Sequence, residues 1–471
     1  MKIISKTFKI LPLFLLALVF TSCSDDDDNT IMTPQPMNIV EIALGNSDLT
    51  SLVAALQVAD GDLVNVLSGS GPFTVLAPTN DAFATFLSAN GFSQLSDVPT
   101  DVLSQILLNH VISADLTASD LVGLGAGYTS TNALGADGRN MSIYFNTSSG
   151  VEFNGVSSVT ADGADIDASN GTIHIVDAVI GLPSIVDHAL ANPGFSNLVA
   201  ALGAADGNLV DVLSGAGPFT VLAPDDAAFA TFLDGTPLGD VPTDALANIL
   251  LNHVVTGNVA SSTLIAGGAG YANTNATGPN DNNLSLYYNT SDGVRFNGVS
   301  SVAQADVIGT NGIIHAVDAV IDIPSIVTLA TADPNFSTLV TALTTLTPAT
   351  DFVATLSTAN GTSPAPFTVF APTNDAFDAL AAIPAEDVLT QVLLHHVLGD
   401  ANVQSGDLTD GISPSMLNGQ AITINLPGTG DNIADVTDGA GNSDIGIVAV
   451  DVQAGNGVIH VLNKVMLPAD E

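Results

Sequence analysis

One sentence of this chain is written three times, and that repetition limits its fold more than any other feature. "GPFTVLAPTNDAF" (Gly71 to Phe83) returns as "GPFTVLAPDDAAF" (Gly217 to Phe229) and as "APFTVFAPTNDAF" (Ala365 to Phe377). Each is followed by a leucine-rich stretch ending in His-Val: "ILLNHV" at Ile106, "ILLNHV" at Ile249 and "VLLHHV" at Val392. Each copy then closes on an alternating segment, "NGTIHIVDAVI", "NGIIHAVDAVI" or "NGVIHVLNKVM". His110, His253 and His396 lie 143 residues apart. That period is far longer than the roughly 20–50 residues of a solenoid repeat, so each copy is a whole domain. Prolines mark the joins, which predicts domains at 37–182, 183–323 and 324–469. The copies abut without a long linker, so the array should be semi-rigid.

Within a copy the periodicity changes partway. "NPGFSNLVAAL" reads as a turn and then a helix, with Phe195, Leu198, Val199 and Leu202 at helical spacing. "PFTVLAP" is a short apolar run ended by Pro, the pattern of a buried strand. "DVLSQILLNHV" is helical, with Val102, Leu103, Ile106 and Leu107 placed on one face. Beyond it, "MSIYFNTSSGVEFNGV" and "GTIHIVDAVI" alternate as strands do. Helices first and strands second predict an α+β class.

The pair "FTVLAPTNDAF" and "NGTIHIVDAVI", with an L-L-x-H-V helix between them, resembles the fasciclin domain, and the resemblance covers the chain three times. It implies three tandem domains, each a β-sandwich wedge with packed helices, and extracellular adhesion or matrix contact without enzymatic activity. It also implies contact through a Tyr-His pair at the end of the leucine-rich helix. Only the histidine carries over, as His110, His253 and His396. The residues before them are Asn109, Asn252 and His395.

The N-terminus has the marks of a leader. Lys2, Lys6 and Lys9 precede the apolar run "ILPLFLLALVF", too short to span a bilayer, which takes roughly 20 apolar residues. Thr-Ser-Cys follows, and Cys23 is the only cysteine, so no disulfide forms within the chain. Residues 1–22 resemble a bacterial lipoprotein signal peptide, with Cys23 the lipidated first residue of the mature protein. The tether at 23–36 carries "SDDDD", similar to the export signals of Bacteroidetes surface lipoproteins. The expectation is a lipid-anchored outer-membrane protein facing outward, with the periplasmic face as the alternative.

Charge excludes whole classes of partner. Formal net charge is −42, and outside the leader only Arg139, Arg295 and Lys464 stand against 48 acids. Nucleic acid binding needs phosphate-neutralising Lys and Arg, which are missing. The membrane is expected to be met only through the lipid anchor.

The polar cluster that ends each repeated block is the first chemical candidate. Thr79 and Thr373 align with Asp225, while Asp81 aligns with Ala227, so a catalytic acid there would be lost from the second copy. A helix N-cap tolerates Thr or Asp equally. Thr79, Asp225 and Thr373 are therefore predicted caps, and Thr79→Ala should cost about 1 kcal/mol in chemical denaturation. His174 and Asp177 suggest a base and its orienter, but the third copy has Asn463 at the Asp position. His174, His315 and His460 are read as structural. "GLGAGY" and "AGGAGY" lack the lysine of a phosphate loop and read as flexible connections. Clustered acids at Asp162, Asp165 and Asp167, and at Asp431, Asp435 and Asp438, suit weak calcium binding, although neither set matches an EF-hand. No other cofactor is implied. The function expected is adhesion to an extracellular protein or polysaccharide matrix, or to neighbouring cells, with carriage of an apolar small molecule as the alternative.

Overall fold

The computed structural model describes residues 36–469. Its organising contact joins the first and last signature blocks of each copy. Strand Phe73–Pro78 runs parallel to Gly171–Val176, with Leu76 opposite His174. Phe219–Pro224 pairs with Gly312–Val317, and Phe367–Pro372 with Gly457–Leu462, in the same register. A parallel pair buried on both faces needs nearly continuous apolar sequence, as these strands have. The chain approaches itself closely at the strand ends. Gly71 has φ of +62°, and a Cβ there would run into the Asn170 carbonyl.

Alternation along the strands assigns their two faces. In the first domain Val75, Ala77 and Ile173 face a helical layer made from Ile39–Gly45, Thr50–Val58, Leu63–Leu67 and Thr100–Asn109. Leu76, Ile112 and Val176 face the other way, against Ile143, Phe145 and Phe153 of a second sheet. Phe83, in the first turn of helix Asn80–Ala89, is buried in the helical core. The result is α+β: helices on one side of a central sheet and a twisted hairpin sheet on the other. The first domain keeps two separate four-stranded sheets. In the second, the long strand Ser300–Ile308 carries the hydrogen bonding through to a single seven-stranded sheet, and in the third the sheet has six strands.

Two sequence expectations are corrected here. The Gly-rich stretches are not flexible connections: Gly125 and Gly268 end the helices Ala118–Leu124 and Ser261–Gly267, and strands begin at Ala126 and Ala269. Val102 does not share the core face of its helix. It is 41% exposed while Leu103, Ile106 and Leu107 are buried. Among the described residues no single helix is long and apolar enough to cross a membrane.

Candidate functional site

The three polar clusters sit where strand turns into helix. Thr79 Oγ1 accepts from the Ala82 N–H at 3.2 Å, Asp225 Oδ1 from Ala228 at 2.7 Å, and Thr373 Oγ1 from Ala376 at 3.3 Å. Each satisfies an N–H that the first helical turn leaves without a partner. The next residue does a different job. Asn80 Oδ1 accepts from the Ser51 N–H at 2.8 Å while its Nδ2 donates to the Ser47 carbonyl at 2.9 Å, tying the neighbouring helix to this turn. Asp226 and Asn374 make the matching bonds to Asn197 and Thr338. The third position, Asp81, Ala227 or Asp375, points to solvent.

The histidines that the resemblance offers for adhesion are not surface residues. His110, His253 and His396 are each 2% exposed. His110 Nε2 accepts the Ile180 N–H at 2.9 Å, which leaves the proton on Nδ1 to be donated to the Ile106 carbonyl at 2.7 Å. His253 bridges Ile321 and Ile249, and His396 bridges Met466 and Val392, in the same way. Burial pushes all three down to about 4, so they are neutral at pH 7. With both ring nitrogens used internally they cannot contact a partner.

His174, His315 and His460 are fixed similarly. His174 Nδ1 accepts the Asp165 N–H at 3.3 Å and its Nε2–H donates to the Leu116 carbonyl at 2.9 Å. Asp177 is not its orienter, because its carboxylate accepts the Ser158 N–H instead. The six aspartates considered for calcium are not brought together. Asp165 has φ of +55° and accepts the Ala118 N–H at 2.7 Å. Asp435 accepts from Thr429 and Asn432, and Asp438 from Asn442 and Leu467. Asp162, Asp167 and Asp431 are exposed. Among the described residues no group of three or more His, Cys, Asp or Glu is placed to hold a metal ion. Cys23 lies outside the described residues.

Sequence reasoning missed two sets of residues shared by all copies. Asp306 and Asp451 match Asp165, each in the left-handed region and each accepting a backbone N–H, from Ser261 and Ser405. Asn170 Oδ1 accepts the Ile39 N–H while its Nδ2 donates to the Leu67 and Gly69 carbonyls, and Asn311 and Asn456 repeat the clamp. The signal was present: D-[IV]-x-x-x-N-G closes every copy.

The domains meet through these same elements. Asn109 and Asn252 are fully buried, and each donates across to the next linker, Asn109 to the Gly181 carbonyl at 2.8 Å and Asn252 to Ile321 and Asp322 at 3.1 Å. Ser142 Oγ accepts the Ile308 N–H of the second domain at 2.9 Å, and Ser285 Oγ accepts the Gln453 N–H of the third at 2.9 Å. Tyr128 packs on His188, and Tyr271 donates to Asp333 at 3.0 Å.

A thrice-repeated α+β domain, with its recurrent polar groups turned inward as pins and its copies docked through matching hairpins, defines a tandem domain array rather than a single cleft. The fasciclin domain family matches residues 47–183, 193–324 and 334–468, and the chain belongs to that family. Protein sll1483 of Synechocystis is 38% identical over 148 residues, 31% of this chain and 75% of that protein. The pig transforming growth factor-beta-induced protein ig-h3 is 27% identical over 92% of this chain, and human periostin 25% over 86%. The chain spans 58% and 44% of those two proteins. Among solved structures, a FAS1 domain pair from the insect cell adhesion molecule Fasciclin I aligns over 59% of this chain and 97% of its own, at 21% identity and a TM-score of 0.35.

Proposed function

We propose that this chain is a non-enzymatic adhesion protein of the cell surface, contacting extracellular matrix or neighbouring cells through three fasciclin domains at once. Family membership supports the kind of work. The observation that carries the multivalent form is the pair of matching joints, Ser142 to Ile308 and Ser285 to Gln453, which hold the three domains as one arm. Repeated weak contacts on one arm raise avidity by roughly 10²–10⁴ when the geometry lets them engage together. The six histidines repeated in every copy have both ring nitrogens committed to internal hydrogen bonds, which favours a binding role over proton transfer. Anchoring through a lipid on Cys23, behind an acidic tether on the outer face of the outer membrane, completes the proposal.

The test is binding of the chain from Pro36 onward, against correctly folded single domains, to host cells and to protein and polysaccharide matrices. The array is expected to bind far more tightly than any one domain; equal affinity would refute the multivalent mechanism. A second reading, carriage of an apolar molecule, is favoured by a cleft beneath helix Ile326–Ala332, lined by Leu339, Leu343, Phe352 and Ile459. It holds only about 40 Å³ and must open before an apolar chain enters. Lipid or pigment carried by protein purified from its host would support it, and clean protein would count against it.

A further inference from the structure

The exposed side of helix Thr100–Asn109 borders a groove in the first domain. Val102, 41% exposed, lines it together with Val66, 45% exposed, from helix Leu63–Leu67. Leu108 and Leu182 also line it, as do Asp60 and Asp101. The groove measures about 660 Å³, within the range of roughly 300–1,000 Å³ typical of ligand clefts. Asp60 accepts one bond, from Thr100 Oγ1 at 2.9 Å, so its carboxylate keeps lone pairs for a cation. No lysine or arginine lines the groove. The second domain places Asp206, Val212, Asp244 and Leu251 at the matching positions, with Val212 48% exposed and Ala245 in place of Val102.

We infer that this groove seats a basic amphipathic protein segment, with apolar side chains against Val66 and Val102 and a Lys or Arg reaching Asp60 and Asp101. The assignment rests on the adhesion reading and names its contact surface. Charge selects the occupant: a chain with 48 acids and 6 strong bases repels an acidic polysaccharide or an anionic lipid. The aliphatic walls select further, because a segment bearing charge alone would leave them in water, whereas apolar anchors remove them from it.

The experiment titrates the full chain with a labelled Leu/Lys amphipathic peptide at about 0.15 M salt, where long-range attraction is screened within about 8 Å. A Lys/Ser peptide of equal charge and a Leu/Glu peptide serve as controls. The Leu/Lys peptide should bind best, and Val66→Ser/Val102→Ser/Val212→Ser should weaken it about tenfold or more. The three positions are exposed, and unchanged circular dichroism would show that the variant folds. Asp60→Asn/Asp101→Asn should weaken binding severalfold. Affinity within twofold of wild type in the valine variant, or equal binding of the Lys/Ser peptide, would overturn the groove. Matrix binding by the unaltered chain separates the two readings. If the chain adheres and the peptide does not bind, only the groove fails; if it does not adhere at all, the adhesion reading fails regardless of the peptide.

Discussion

At the joint between the first two domains, Tyr128 lies edge-on to the His188 ring, 5.7 Å between centroids, and its hydroxyl is 3.4 Å from the Asn192 amide. At the joint between the second and third, Tyr271 donates to the Asp333 carboxylate at 3.0 Å, and Leu329 stands where His188 does. The backbone plan is shared, yet the chemistry diverges. The first joint is largely apolar: Ala136 packs with Ala260, Ile308 and Ile313 across it. The second is polar, because Gln453 replaces Ile308 and is held by Asn402, with Gln404 donating to it as well. The joints also differ in backbone support. Ala136 donates its N–H to the Gly309 carbonyl at 2.8 Å, but its counterpart Pro279 has no N–H to give. At the position of Asn109 and Asn252 the third domain carries His395, turned to Asn418 and Gly439. One scaffold therefore supports an apolar joint and a polar joint through a handful of side chains.

The largest effect should come from the buried asparagines. Asn252→Ala strips hydrogen bonds from the Ile321 and Asp322 carbonyls, both at the second linker. Leaving such groups unpaired costs about 3 kcal/mol in all. Asn109→Ala should cost less, about 2 kcal/mol, because it releases one carbonyl rather than two. At both sites the threonine keeps a second partner, the Met141 carbonyl for Thr131 and the Leu284 carbonyl for Thr274. Chemical denaturation followed by circular dichroism measures both. Equal costs would show that the second linker is not the more tightly pinned.

Acid should tell the joints apart next. Burial pushes His188 down to about 4, and its Nδ1 has no partner while Nε2–H donates to the Ile308 carbonyl at 3.1 Å. The titratable groups around it are Asp187 on its own helix and, from the first domain, Tyr128 with Tyr144 behind it. Because the folded pKa lies below the unfolded value of 6.5, the contribution is whole above pH 6.5 and is lost as pH falls toward 4. At pH 5 the loss from this one group is about 2 kcal/mol. His188→Leu, which copies the second joint, should remove it and lower by one the protons taken up on acid unfolding. His110, His253 and His396 still titrate in the same window, so the variant keeps the rest of the slope. An unchanged pH profile would mean that His188 is already hydrated at the joint.

Little of this contrast was visible in sequence, and the reasons are physical. The repeats, the α+β class and the cap positions Thr79, Asp225 and Thr373 were legible because each depends on local order: period, strand length and a side chain three residues from its partner. Asn170 was not, because its partners at Ile39 and Leu67 are more than a hundred residues away. Asp165 looked like a cation ligand from its acidic neighbours, whereas its left-handed backbone turns it onto the Ala118 N–H. Val102 sits beside buried positions on the helical wheel, and only the placement of the neighbouring helix decides that it faces a groove. His110 could be placed near a helix end, but not its Nε2 partner, Ile180, across the fold.

The smallest effects test whether the two tyrosines do equal work. Tyr271→Phe removes the donor from a carboxylate that is 5% exposed, leaving Asp333 with the Asn335 N–H at 3.0 Å. A buried charge that loses a hydrogen bond costs about 1–2 kcal/mol. Tyr128→Phe gives up only contacts of 3.4 Å, at the long limit of a hydrogen bond, and keeps its ring against His188 and Tyr144, so it should cost about 0.5 kcal/mol. Denaturation midpoints of the two variants, with unchanged slopes, give the difference directly. A larger loss at Tyr128 would place the main energy of that joint in its hydroxyl rather than its ring, and would erase the distinction between an apolar and a polar joint.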